Sequence, residues 1–255
     1  MPGQTGKPPF FNAGYLPIPT NNYVAWVDVM GVRSIMSRSV AITANFVFKL
    51  HVTAIEAPQT GIKLYPVMDG LYAVSNSQKP MLAFLDNVLS RLADLFVSTP
   101  QMHHRFIVKG ALAFGPTIHG CDVLPEAFAS VNEGQIHDYN NCVLLGMPMV
   151  QAYESEMKAP PFGLYVHESA RAFAPPNEEP IRFAWWHWFR YKYHDLAVEL
   201  DSALDKYFEW CTSVAGAIEY DKAHAEHHKE MARQYFRAFN YPTAAPLLKA
   251  IADQH

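Results

Sequence analysis

Residues 23–31 read YVAWVDVMG: an apolar run that places one aspartate, Asp28, near its end and reaches Gly31 through Val29 and Met30. Tyr, Val, Ala and Trp in succession suit a strand buried on both faces, where aromatic and β-branched side chains pack well. A carboxylate closing such a run has no packing role there. It caps the next element, or it holds a ligand. The next stretch, GVRSIMSRSVAITANFVFKLH (31–51), switches to helical spacing, with Val32, Ile35, Met36 and Val40 on one side. Further on, GIKLYPVM (61–68) and LYAVSN (71–76) read as two strands joined at Asp69-Gly70, a hairpin-turn dipeptide.

KPMLAFLDNVLSRLADLFVS (79–98) predicts an amphipathic helix with Pro80 in its first turn, and HRFIVKGALAFG (104–115) a further strand. Strand, helix, hairpin, helix, strand is the order of a ferredoxin-like α+β core, an antiparallel sheet with helices on one face. A long connection (115–141), a helix near 143–157 and a strand at FGLYVHES (162–169) come next. The expected division is an extended, poorly ordered lead-in at 1–22, a core domain at 23–176, and an aromatic strand plus helical C-terminal region at 177–255.

The chain has 255 residues, 50% hydrophobic and 17% charged, with net charge −4. No cationic tract is dense enough to follow a phosphate backbone, which argues against a nucleic-acid polymer as partner. No apolar run has the length to cross a bilayer, and the N-terminal stretch lacks the apolar segment of a signal peptide. Cys121, Cys142 and Cys211 are odd in number and lack metal-ligand spacing, as expected of reduced thiols in a cytoplasmic, soluble protein.

In the expected fold the ends of the first strand and of the hairpin lie side by side, so Asp28 and Asp69 converge. Two carboxylates without a cation repel. Mg²⁺ or Mn²⁺, which favour few protein carboxylates plus substrate phosphates, resolve that repulsion, and two such ions serve phosphoryl chemistry. Backbone N–H groups of Val29, Met30 and Gly31 would then face the phosphates. The alternatives are a helix cap at Asp28 and a plain turn at Asp69.

The segments YVAWVDVMGVRSIM (23–36), YPVMDGLYAVS (65–75), VKGALAFG (108–115) and LLGMPMVQAYESE (144–156) occur in the order and approximate spacing of the class III nucleotidyl cyclase homology domain. Over about residues 20–175 the chain most resembles the pyrimidine cyclases of bacterial Pycsar anti-phage systems, which turn UTP or CTP into cUMP or cCMP. The resemblance implies a homodimer with active sites at its interface, and two metal ions held by Asp28, Asp69 and the Val29 carbonyl. It also implies a product read by a separate cyclic-nucleotide-binding effector. The favoured substrate is UTP; a purine cyclase, or a catalytically idle nucleotide-binding or dimerisation module, is the alternative.

The sequence departs from purine enzymes of the family in two places. Tyr65 stands where they carry a base-reading lysine, four positions before the second metal aspartate. Its hydroxyl and ring suit a pyrimidine edge, or a packing role in the strand. Val150 and Glu154 stand where the family has its ribose-orienting asparagine and transition-state arginine. A cation must still meet the developing charge. Lys109 is the first candidate, followed by Arg33, Arg38, Arg105 and Arg182, with Arg33 also placed to bind substrate.

Elsewhere, HAEHHK (224–229) puts His224, His227 and His228 on one helix face, which reads as solvated rather than as a zinc site. WWHWF (185–189) reads as a buried seam or dimer surface. Gly110 and Gly115 do not form a dinucleotide fingerprint.

Overall fold

β1 (Thr20–Val29) runs through the middle of the sheet. The computed structural model describes residues 11–128, 133–214 and 222–237. On one side β1 pairs antiparallel with β3 (Gly70–Ser75), which pairs with β2 (Lys63–Val67) at the edge. On the other it pairs antiparallel with β4 (Val108–His119), from Thr20↔Thr117 to Val29↔Val108. Residues 20–22 of the expected lead-in thus belong to β1, and Phe11 packs edge-on against Phe128 at 5.2 Å. Residues 1–10 lie outside the described residues.

The first four strands stand in the order β2-β3-β1-β4, all antiparallel, but the sheet as a whole is mixed. β5 (Leu144–Leu145) pairs antiparallel with the end of β4. β6 (Leu164–Val166) adds to β4 in parallel, and β7 (Trp185–Trp186) closes that edge. A wholly antiparallel sheet is therefore the wrong expectation for this chain. β6 enters in the same direction as β4 because a helical connection, not a hairpin, separates them.

Side-chain alternation divides β1 between two faces. Tyr23, Ala25, Val27 and Val29 join the large core with α2 (Val40–Glu56) and α3 (Gln78–Ser98). Val24 and Trp26 face the other way, into a smaller cluster with Tyr65, Tyr72, Val74 and Ala152. Ala152 lies on α5 (Met147–Ser155), so this second face also carries a helix, whereas the sequence reading put helices on one face only.

The helical stretch after β1 is broken. α1 (Val32–Met36) ends at Ser37, and α2 begins after Ser39, whose hydroxyl accepts the Ile42 N–H at 3.3 Å as an N-cap. The hairpin turn also sits one residue earlier than expected. Val67 pairs with Gly70, leaving Met68-Asp69 as the turn with Met68 left-handed at φ 52°. Gly70 is there for close approach: a Cβ on it would lie 2.5 Å from the Trp26 ring.

α4 (Glu133–Asn141) and α6 (Glu168–Ala172) lie in the connections, and α7 (His194–Ser213) and α8 (Lys222–Arg237) come after β7. They are not an appendage to a finished core: Leu200, Leu204, Phe208 and Tyr235 bury within the cluster that holds β1. The aromatic segment 181–193 is strand only at Trp185–Trp186 and is buried chiefly at Trp188 and Phe189, with Trp188 donating to the Phe162 carbonyl at 2.8 Å and Tyr235 donating to the Trp186 carbonyl, while Phe183 and Tyr191 are exposed. Among the described residues, no helix is long and apolar enough to cross a membrane.

Candidate active site

Asp28 is the last residue of β1 on the second face of the sheet. Its cross-strand partners are Gly70 on one side and Lys109 on the other. The register thus sets Lys109, Asp28 and Gly70 in one row across three strands, and the turn brings Asp69 in beside Gly70. A fourth charge comes from a place the sequence reading passed over. Glu156 opens the 3₁₀ turn (Glu156–Lys158) that succeeds α5, and its Oε1 lies 3.1 Å from Lys109 Nζ. Both side chains are nearly buried, at 14% and 11% exposure. The contact is a close ion pair.

The electrostatics follow from that crowding. Burial pushes the Asp28 carboxyl up to about 7, and the charges of Asp69 and Glu156 push the same way. The Val29 backbone N–H and Lys109 offset this only in part. Burial likewise raises Glu156, with Lys109 opposing and Asp69 reinforcing. Asp28 Oδ1 is buried with no hydrogen-bond partner. A buried carboxylate oxygen left bare beside two further carboxylates is costly unless protonated or met by a cation. The donor set therefore fits a hard divalent ion: carboxylate oxygens, one of them unspent, at the mouth of a strand. No group of three or more His, Cys, Asp or Glu among the described residues is gathered tightly enough to form a metal site without substrate or further ligands.

The other expected site residues are distributed unevenly. Gly31 is left-handed at φ 75° and precedes α1, whose Ser34 and Ile35 N–H groups bond its carbonyl. The Met30 N–H donates to the Ile107 carbonyl at 2.8 Å, so it is not among the amides the turn can offer a phosphate. Arg33 is exposed and shares with Asp69 a cavity of about 640 Å³, walled by Val32, Met36, Val47 and Phe48. Lys109 is committed to Glu156 rather than standing as an unpaired cation. Arg105 is tied to the Thr99 and Val97 carbonyls, and Arg182 contacts Glu179 at the surface. Neither belongs to the Asp28 row. Val150 and Glu154 lie exposed on α5.

Tyr65 is one row along from Asp28, paired with Tyr72 and buried at 4% exposure. Its hydroxyl is 2.5 Å from His119 Nδ1, and the rings are stacked with centroids 5.8 Å apart. Burial lowers the His119 pKa and raises that of Tyr65. The hydroxyl already has its partner. On α8, burial and then the Lys109 charge hold His228 down to about 4, with His227 and His224 adding to the effect. The charge of Lys109 thus reaches His228, which is partly buried, while His224 and His227 on the same helix are exposed.

Glu156 and His119 were both missed from sequence. Nothing local marks Glu156, and only the docking of α5 across β1 and β4 turns it toward Lys109. No protein-family model matches the chain, and no curated protein is detectably similar to it.

Proposed function

We propose that the chain is a metal-dependent nucleotidyl cyclase of pyrimidine type, acting in the cytoplasm on UTP in preference to CTP. The 3′-oxygen bonds to the α-phosphorus, the bond from that phosphorus to the bridging oxygen breaks, and pyrophosphate leaves as the hydroxyl gives up its proton. The observation that carries this reading is the bare, buried Asp28 carboxylate oxygen among Asp69 and Glu156, an arrangement that calls for a cation. Asp28, Asp69 and the Val29 carbonyl would hold two Mg²⁺ or Mn²⁺ ions, which when bound acidify the attacking hydroxyl and neutralise the triphosphate.

Around that centre Arg33 is placed to bind phosphate oxygens, because it lines the same cavity as Asp69. Lys109 neutralises Glu156 and the end of β1, and it becomes available to the substrate when that pair opens. A part for Tyr65 in base selection rests on the family resemblance, since its hydroxyl is engaged by His119 and its ring is buried. The strand order β2-β3-β1-β4 supports a ferredoxin-like cyclase core. The homodimer is supported by an exposed apolar stripe on α5 and the turn after it, Met147, Val150, Tyr153 and Met157. The preference for UTP, the anti-phage role and the separate cyclic-nucleotide-binding effector rest on the family resemblance.

One observation favours an idle nucleotide-binding module instead: the cation nearest Asp28 is already paired. Incubation with each of the four nucleoside triphosphates and Mn²⁺, followed by chromatography, separates the readings. Cyclic UMP or CMP is the expected product. Cyclic AMP or GMP would make the protein a purine cyclase, and bound but unchanged nucleotide would make it the idle module.

A further inference from the structure

On the other side of α1 from the Asp69 cavity lies a second cavity, of about 270 Å³. Its walls are apolar: Ile42 and Phe46 of α2, Phe106 from the segment before β4, and Trp210 near the end of α7. Arg38, His103 and Arg105 bring basic groups to the lining, and no carboxylate lines it among the described residues. Cys211 adds no negative charge, because burial pushes its thiol up to about 12. Arg105 is fixed rather than loose: it donates to the Thr99 carbonyl at 2.8 Å and the Val97 carbonyl at 3.4 Å, and it lies over the Phe96 ring at 5.1 Å. The cavity therefore joins an apolar body to a held positive charge.

The polar groups of the cavity are few. Ser39 already accepts the Ile42 N–H, and the other uncharged polar side chains of the lining are the hydroxyls of Ser34 and Tyr207, a small set for matching a sugar and the edge of a base. Ligand sites of this kind are mostly apolar with a small number of orienting polar groups, and the volume is at the lower end of their range.

We infer that this cavity binds a small amphipathic anion, a free medium-chain carboxylate, with the chain against Phe46, Phe106 and Trp210 and the carboxylate toward Arg38 and Arg105. Met30 and Gly31 form part of the lining, so the ligand rests against the reverse side of the turn that comes after Asp28. The site stands independently of the proposed reaction.

The test is calorimetric titration of the full chain, without nucleotide or metal, using sodium decanoate at sub-micellar concentration. Saturable binding at one site is expected, with decan-1-ol binding about tenfold more weakly because it lacks the charge-assisted contacts. Arg38→Gln, at an exposed position, should weaken decanoate by about the same factor and leave decanol unchanged. Ile42→Trp, which fills the cavity, should remove binding of both. Arg105→Gln serves as a second charge variant, checked for folding by circular dichroism. Equal affinity for decanoate and decanol, no saturation, or unchanged decanoate affinity in both charge variants would overturn the assignment. Binding only to decanoate micelles or to phospholipid vesicles would overturn it as well, in favour of a lipid surface.

Discussion

Carboxylates meet in two regions of this molecule, and they are treated differently. Between α7 and α8, Asp205 takes two hydrogen bonds from Arg233, at 3.1 and 3.3 Å, and Arg237 reaches both Asp201 and Asp205. Two arginines answer two aspartates at a half-exposed seam. At the end of β1, Asp28, Asp69 and Glu156 crowd together with Lys109, whose one charge is spent on Glu156. The first arrangement is matched charge for charge and clamps two helices, although Asp201 Oδ1 is buried without a hydrogen-bond partner among the described residues. The second is short of positive charge while being more buried, and a fold does not keep such a deficit for stability. The deficit is what marks it as a site.

The strongest way to break this comparison is to remove the acid on which the deficit depends. Asp28→Asn and Asp69→Asn should each lower cyclic-nucleotide formation by at least about a hundredfold, as loss of a metal ligand in a phosphoryl-transfer site does. Far-ultraviolet circular dichroism should stay unchanged. If Asp69→Asn turns over at near the parental rate in the chromatographic assay, the deficit has another explanation.

Stability gives a second route. Lys109→Met leaves Glu156 and Asp28 buried without a cation, and breaking a buried pair in this way costs about 3–5 kcal/mol. Urea midpoints in metal-free buffer measure it. The double variant Lys109→Met with Glu156→Leu should recover most of the loss, since both partners are then apolar. A single variant as stable as the parent would show that the pair is effectively solvated.

How much of this was legible from residues depends on the range of the contacts. The end of β1 at Asp28 and the turn at Asp69 could be read because both are local signals: an apolar run that stops, and a turn dipeptide between two strands. That they converge came from the element order, and the register Asp28↔Gly70 places them together. The break at Ser37–Ser39 was not legible, because the apolar spacing runs unbroken across it while Ser39 caps a new helix. Nor was Gly70, which reads as a turn glycine yet clears space for the Trp26 ring. Glu156 and His119 acquire meaning only from partners 47 and 54 positions away (156 − 109 and 119 − 65), at Lys109 and Tyr65. No local pattern encodes such pairings.

A third carboxylate sharpens the contrast, because it is buried but not crowded. Asp86 on α3 accepts the Trp186 indole N–H at 2.9 Å, and burial raises it to about 6 despite that bond and the charge of Lys192. Its folded pKa lies above its unfolded value near 4, so the native state holds the proton through that interval. The stabilisation is present below about pH 4 and is lost as pH rises through 6, a difference of about 2–3 kcal/mol. Asp86→Asn keeps an oxygen to accept from Trp186 and cannot ionise. It should flatten this part of the stability profile between pH 4.5 and 7 and raise the urea midpoint at pH 7. An unchanged slope would mean that Asp86 is hydrated and titrates as in the unfolded chain.

The smallest effect is expected at the charge-matched clamp. Arg237 has a half-exposed side chain, at 50%, and donates to Asp201 at 2.9 Å and to Asp205 at 3.4 Å. Removing it leaves Asp205 held by Arg233 through two bonds, and only Asp201 loses its ionic partner. Asp201 is nearly buried at 12%, but the Arg237 end of the pair is open to solvent, so the pair is worth about 1 kcal/mol and salt screens it in part. Arg237→Ala should therefore lower the urea midpoint slightly in dilute buffer and less in about 1 M NaCl, where the screening length falls to a few ångströms. The loss at Lys109 should change little with salt, because that pair is buried. If Arg237→Ala instead costs as much as Lys109→Met, the helix seam carries buried charge as demanding as that at the strand end. Crowded carboxylates would then no longer distinguish a site from a clamp.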